Sequence, residues 1–94
     1  MKLVINNSWG PFEVPAQFKY LENQSKDPKL LDIRKDPDLI KWVEEHPEGF
    51  DVNYGRMVLK VVDIPDESTD YVILDYDGVE SVYFVVDGKL YGAN

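Results

Sequence analysis

The sequence has no cysteine and a single histidine among its 94 residues. The absence of cysteine excludes disulfides, thiol nucleophiles and thiolate metal sites. The histidine, His46, stands before Pro47 at the end of a predicted helix, where a cationic ring would favour the negative end of the helix dipole. We therefore interpret His46 as a capping or solvated side chain rather than as a catalytic base.

The sequence motifs of common catalytic and ligand sites are also absent. The chain has no G-x-S-x-G, no H-E-x-x-H, no phosphate-binding glycine loop and no calcium-loop spacing. No apolar run reaches the length of a signal-peptide core or of a membrane span. We expect a protein that is not an enzyme, binds no metal or other cofactor, does not contact membranes and resides in the cytoplasm.

Lysine and arginine are missing from one continuous segment, residues 61–88. This segment carries eight acidic residues, whereas the rest of the chain has ten acids and ten bases, so the whole net charge of −8 lies here. Acidic turns account for part of the pattern, because Asp and Gly form turns well. They do not account for the missing bases, since protein surfaces normally mix both signs and crowded like charges oppose folding.

We predict that this segment forms a surface for a basic protein partner, with seven of its eight acids exposed. Direct binding of nucleic acid is disfavoured, because neutralising phosphates requires clustered Lys and Arg. Tyrosines interleaved with the acids add aromatic contact area. The predicted partner-binding residues are Asp66, Glu67, Asp70, Asp75, Asp77, Glu80, Tyr71 and Tyr76.

The apolar pattern predicts a single α+β domain over residues 1–94, with two short helices. The first is expected from Pro15 to about residue 23, since proline suits the first helical position. The second is better marked: Asp36 can cap it, Pro37 follows at the first position, and Pro47 forces its end at His46. Residues 24–35 and 47–55 are predicted as loops.

Strands are predicted for five stretches, of which residues 57–64 are apolar on both sides and therefore central. Asp77-Gly78 and Asp87-Gly88 stand between alternating apolar runs, which is the strongest short-range hairpin signal. The expected architecture is a small, mostly antiparallel sheet of four to five strands with two short helices on one face. The stretches are residues 2–5, 57–64, 71–76, 79–86 and 89–91.

A set of motifs runs through residues 1–82: Val4-Ile5-Asn6 with Gly10-Pro11-Phe12, Asp32-Ile33-Arg34 with Asp36-Pro37 and Leu39, Val43-Glu44-Glu45, Leu59 to Asp66, Tyr71-Val72-Ile73 and Asp75 to Ser81. Together they resemble a family of small, functionally unassigned proteins of tailed phages and prophages. That family usually has a second Gly in place of Pro11, and a polar tail with His, Arg and Trp where this chain continues VYFVVDGKLYGAN. The resemblance implies a phage or prophage origin and an accessory role, and no reaction.

Small acidic accessory proteins of phages often bind a host protein. By this analogy we predict a non-enzymatic binding module that inhibits or modulates a basic, nucleic-acid-handling host protein such as a defence nuclease, as a mimic of nucleic acid. The alternative is a small structural or assembly protein that forms a homodimer through its sheet edge, which the apolar hairpin of residues 83–91 favours. A metal-dependent enzyme ranks third, because the carboxylates match no metal-site spacing and so short a chain leaves little room for a cleft.

Overall fold

The computed structural model describes residues 1–21 and 31–93, without the side chains of residues 31 and 32. The described residues contain seven strands, and every strand pair is antiparallel. The strands are β1 (Lys2–Asn6), β2 (Phe50–Val52), β3 (Gly55–Met57), β4 (Leu59–Asp63), β5 (Asp70–Tyr76), β6 (Val79–Val86) and β7 (Lys89–Gly92). They form two two-stranded sheets, β1–β4 and β2–β3, and one three-stranded sheet in the order β5–β6–β7.

The α+β class and the antiparallel pairing are confirmed, whereas the count of four to five strands in one sheet is wrong. The predicted single sheet is divided, because β1–β4 does not pair with β5–β6–β7, and the additional strands come from the segment of residues 47–55, predicted as a loop. This segment contributes β2 and part of β3, which pair through Phe50 and Met57 at one end and Val52 and Gly55 at the other. Strands of three residues are shorter than the alternation needed to recognise a strand in a sequence.

Helix α2 (Pro37–Glu45) has the predicted boundaries. The Asp36 carboxylate accepts hydrogen bonds from the backbone N–H groups of Asp38 and Leu39, both at 3.0 Å, which satisfies donors at the helix start. At the other end, His46 lies 2.7 Å through Nδ1 from the carbonyl oxygen of Trp42 and stacks on the indole ring. The single histidine is thus held at the helix end.

The two other helical segments differ from the prediction. Helix α1 (Leu31–Arg34) occupies four residues that were assigned to a loop. The predicted first helix begins as a 3-10 helix, Ala16–Phe18, followed by helical residues at 20 and 21, and its predicted end near residue 23 lies outside the described residues. In the described part of the chain, no helix has both the length and the apolarity needed to span a membrane.

The β1–β4 ribbon is the middle of three layers, because alternate side chains of each strand point to opposite faces. Val4 and Leu59 join a buried cluster on the side of the helices, whereas Leu3, Ile5 and Val62 join a second buried cluster against the β5–β6–β7 sheet. The prediction that β4 is covered on both faces is therefore met, but β4 is not central within a sheet, because β1 is the one strand that pairs with it among the described residues. Below, β5–β6–β7 is called the terminal sheet.

Both hairpin turns of the terminal sheet are where the sequence placed them. Asp77 and Gly78 have φ values of 53° and 95°, and Asp87 and Gly88 have 52° and 75°. Two consecutive positive φ values define the tight turn that suits the twist of antiparallel strands. The first of these turns sets the register of β5 against β6, in which Tyr76 pairs with Val79.

Candidate protein-binding surface

The acidic residues of the segment 61–88 lie mainly on the surface, as predicted. Seven of its eight carboxylates are exposed, and the turns and loops around the terminal sheet hold most of them. The exposed residues are Asp63, Asp66, Glu67, Asp70, Asp75, Asp77 and Asp87.

The strand register divides these acids between the two ends of the terminal sheet. Asp70 begins β5 opposite Val85, so it lies at the same end of the sheet as the turn at Asp87. Asp75 and Asp77 lie at the opposite end, around the β5–β6 turn, where the Asp75 carboxylate accepts a hydrogen bond from the Gly78 N–H at 2.9 Å. Each end of the sheet therefore carries negative charge.

Glu80 does not belong to this surface, and its predicted role there is corrected. Its side chain points into the protein, and the residue is only 7% exposed. It forms a bidentate ion pair with Arg34 of α1, with Arg34 Nη1 2.7 Å from Glu80 Oε1 and Arg34 Nη2 2.8 Å from Glu80 Oε2. Burial of a carboxylate is costly unless an opposite charge and hydrogen bonds compensate it, and here both do.

The ion pair joins three parts of the chain. Glu80 Oε1 also accepts a hydrogen bond from the backbone N–H of Asn6 at 2.7 Å. Arg34 Nη1 donates to the carbonyl oxygen of Val4 at 3.2 Å, and the guanidinium lies over the Phe12 ring at 4.0 Å. Helix α1, strand β1 and strand β6 are therefore held together by one charged group from α1 and one from β6.

Asp66 is exposed, but its charge is already compensated. Its Oδ1 lies 2.7 Å from the terminal ammonium of Met1, which also donates to the carbonyl oxygen of Ile64 at 2.7 Å and contacts Asp63 at 3.2 Å. The hydrogen bond to Asp66 raises the pKa of the Met1 ammonium, and the same bond lowers the pKa of the Asp66 carboxyl. Asp66 is thus less available to a partner than its position in the sequence indicated.

This contact predicts a pH dependence of stability for the chain that begins with a free amine at Met1. The ammonium has a raised pKa when folded, so its contribution is complete below its ordinary pKa of 8.0 and is lost as the pH rises through the folded value. Asp66 acts in the opposite range, and its contribution is lost in acid, as the pH falls through its lowered pKa. We expect the thermal midpoint to fall more on going from neutral to alkaline pH in the parent than in Asp66→Asn.

The expected difference is small and salt-sensitive, because exposed ion pairs are screened by solvent and ions. Thermal unfolding followed by circular dichroism across the alkaline range measures it. Parallel curves for the parent and Asp66→Asn would show that the contact between the Met1 ammonium and Asp66 contributes nothing to the pH dependence.

The two predicted tyrosines have different surroundings. Tyr76 is 81% exposed and lies beside the acids of the β5–β6 turn, so it belongs to the surface. Tyr71 is half-buried on the inner side of the terminal sheet, where it packs against the second cluster, with the Lys35 ammonium 5.5 Å from its ring centroid. We therefore retain Tyr76 as a residue of the candidate partner-binding surface, and we interpret Tyr71 mainly as a packing residue of the terminal sheet.

The opposite, outward side of the terminal sheet carries residues that the sequence reasoning missed. Val72, Leu74, Val79 and Leu90 are 46%, 53%, 42% and 66% exposed. The sequence does contain a signal for these residues, because positions 71 to 74 are all apolar. Such a run predicts a strand with apolar side chains on both of its sides. We call this side the outer sheet face; by alternation and register its apolar and aromatic members are Val72, Leu74, Tyr76, Val79, Tyr83, Val85 and Leu90, and Asp70, Ser81 and Gly92 lie on the same side.

A further exposed aromatic side chain adjoins the β5–β6 turn. The Gly10 N–H donates to the carbonyl oxygen of Asp77 at 3.3 Å, which brings the neighbouring residue Trp9 to this end of the sheet. Trp9 is largely exposed and packs edge-on against Tyr54, with ring centroids 6.1 Å apart. The acidic end at Asp77 is therefore bordered by aromatic area.

Across residues 1–21 and 31–93, no three His, Asp or Glu side chains are placed to hold a metal ion together. Comparison of the chain with protein-family models, with curated proteins and with solved structures gave no match. The surface around the terminal sheet is consequently the feature from which a function can be argued.

Proposed function

We propose that this protein is a non-enzymatic binding module whose acidic surface engages a basic protein. The observation that carries the proposal is the exposure of seven carboxylates in a segment that has no Lys or Arg. A surface of one sign attracts a partner of the opposite sign before contact and repels acidic competitors. A solubilising surface requires no such separation of charges.

The class of partner follows from the charge and from the motif resemblance. Proteins that handle nucleic acid present basic surfaces, because they must neutralise phosphates. The resemblance to phage and prophage proteins favours a target in a bacterial host, such as a defence nuclease, and inhibition or modulation as the outcome. The contacts most suited to a partner are those of Glu67, Asp70, Asp75 and Asp77, because Asp66 and Glu80 already pair with Met1 and Arg34.

Self-association is the second candidate, and the position of β5 favours it. This seven-residue strand pairs with β6 on one side, and no second strand pairs with it within the described residues. An edge strand presents unpaired backbone groups to which another strand can bind. Asp70 begins β5 and Asp77 follows it, however, and like charges oppose the approach of a second copy.

The experiment compares two variants that each lose four negative charges. The surface variant carries Glu67→Gln, Asp70→Asn, Asp75→Asn and Asp77→Asn; the control carries Glu44→Gln, Glu45→Gln, Glu48→Gln and Asp51→Asn. Asn retains the oxygen that accepts from Tyr71 at position 70 and from Gly78 at position 75. A partner is captured from bacterial lysate with the parent protein, identified by mass spectrometry, and titrated with all three proteins.

We expect the surface variant to bind that partner about tenfold more weakly at low salt, mainly through slower association, and the difference to shrink as salt is added. Its free energy of unfolding should stay within about 0.5 kcal/mol of the parent value, because the substituted side chains are exposed. The control variant should bind like the parent. An equal loss of affinity in both variants, or no loss in either, would refute the proposal that the acidic surface binds the partner.

A further inference from the structure

The outer sheet face has no partner within the described residues. Its side chains include two leucines and three valines, and Leu90, the most exposed of these five, keeps 66% of its area accessible. Monomeric proteins rarely expose large contiguous apolar patches, and those that do generally use them to bind. Burial of this face would release water from apolar area and so stabilise a complex.

The charges around the face discriminate between its two conceivable occupants. Asp70 and Asp87 lie at one end of the sheet, and Asp75 and Asp77 lie at the other. If two copies stacked face to face, carboxylates would oppose carboxylates in either relative direction, because both ends are acidic. Residues 61–94 of each copy contribute one base, Lys89, against these four carboxylates, so the contacts would keep a net negative charge. A second copy is therefore disfavoured.

A partner surface with an apolar centre and a basic border complements both the exposed apolar side chains of the outer sheet face and the acids at its two ends. It would cover Val72, Leu74 and Leu90 with apolar area and place ammonium or guanidinium groups against the acids at the two ends. This arrangement matches the usual anatomy of a protein interface, in which an apolar centre is surrounded by a polar rim. A nucleic-acid-binding channel lined by basic side chains alone would leave the centre of the face uncovered.

We infer that the outer sheet face is the apolar centre of the binding surface, and that the partner presents an apolar patch bordered by Lys and Arg. The inference rests on the proposed function and names the chemistry of the partner at the same site. It makes Leu74 and Leu90, on the two outer strands of the terminal sheet, apolar contacts on either side of the row that contains Val72, and it makes the carboxylates the rim. It also replaces imitation of a nucleic-acid backbone with recognition of a folded or peptide surface.

Two labelled peptides test the inference on the parent protein. The first alternates Val with Lys, and the second has the same length and charge but Ser in place of Val. We expect the Val/Lys peptide to bind at least about tenfold more tightly, since burial of even one or two apolar side chains contributes that much. Binding is measured by fluorescence anisotropy at low and high salt.

A variant and a control locate the contact. Leu74→Ser with Leu90→Ser is expected to remove the advantage of the Val/Lys peptide and to leave binding of the Ser/Lys peptide unchanged. Tyr20→Ser is the matched control, because Tyr20 is also about half exposed, at 47%, but lies beside Leu21 in the cluster on the side of the helices. Thermal unfolding verifies that each variant is folded, and the peptide comparison on the parent stands without any variant.

The remaining outcomes are distinct. Equal, salt-sensitive binding of both peptides to the parent would overturn the inference and leave the acidic surface standing. Failure of both peptides to bind would count against the proposed function as well. A parent that is dimeric by sedimentation equilibrium, with a monomeric Leu74→Ser/Leu90→Ser variant, would show that a second copy covers the face and would overturn the inference.

Discussion

Replacement of Glu80 with Gln is expected to lower the free energy of unfolding by about 3 to 5 kcal/mol, the usual cost of removing one partner from a buried ion pair. Gln preserves the shape of the side chain and the oxygen that accepts from the Asn6 N–H. It removes the charge opposite the Arg34 guanidinium, and Arg34 is only 6% exposed. The buried cation would then lack a counter-charge.

Urea unfolding monitored by tryptophan fluorescence measures the loss, and Asp77→Asn is the matched control. Asp77 is exposed and Asn-Gly forms the same turn, so this variant should unfold within about 0.5 kcal/mol of the parent. The double variant Arg34→Met with Glu80→Gln should be more stable than Glu80→Gln alone, because it removes the unpaired buried charge. If Glu80→Gln and Asp77→Asn unfold at the same urea concentration, the buried ion pair is not formed.

Substitution of Gly78 with Val is expected to destabilise the protein more than the same substitution at Gly88. Both glycines have positive φ, where a β-branched residue costs about 1 to 3 kcal/mol. At Gly78 a Cβ atom would also collide with the backbone of Gly10, whereas at Gly88 it would meet no atom within 4 Å. Displacing a packed backbone adds about 1 to 3 kcal/mol, which brings the total for Gly78→Val to about 2 to 6 kcal/mol.

The comparison of the two glycine variants separates the cost of a β-branched residue at positive φ from the cost of displacing the packed backbone. Differential scanning calorimetry of Gly78→Val, Gly88→Val and the parent gives three midpoints under identical conditions. We expect the order parent, Gly88→Val, Gly78→Val from highest to lowest. Equal midpoints for the two variants would mean that the β5–β6 turn does not pack against Gly10, and a midpoint for Gly88→Val equal to that of the parent would contradict the turn itself.

The elements predictable from the sequence are those whose signals are local. The cap and boundaries of α2 follow from Asp36, Pro37 and Pro47, and the two hairpins follow from Asp-Gly pairs between apolar runs. The burial of β4 on both faces follows from apolar residues at alternate positions that point to opposite sides. In each case the residues that carry the signal are the residues that make the structure.

The features that escaped prediction depend on distant residues. Glu80 lies close to a turn, as Asp75 and Asp77 do, and its burial depends on distant partners, among them Arg34, 46 positions away in the sequence. The outer sheet face escaped because whether an apolar side chain is covered depends on which layer lies against it. No window of neighbouring residues contains that information.

The expected exposure of the acids is thus observed, and their role in binding a partner stays a proposal. Seven of the eight are exposed around the terminal sheet, as predicted, yet Asp66 and Glu80 are engaged within the protein itself. What remains at the surface combines carboxylates at the ends of a sheet with uncovered valine and leucine side chains between them.

The position of β1 between two apolar clusters has a consequence for the order in which the chain folds. Val4 pairs with Val61, so β1 has no strand partner until β4 has been synthesised. Native contacts that join such distant positions slow folding, because a long loop must close before they form. When the whole chain refolds, the hairpins of the terminal sheet involve only neighbouring residues and can form faster than the β1–β4 pair. A nascent or truncated chain that ends before β4 would thus expose both apolar sides of β1, which makes this strand the first site at which to look for aggregation during synthesis.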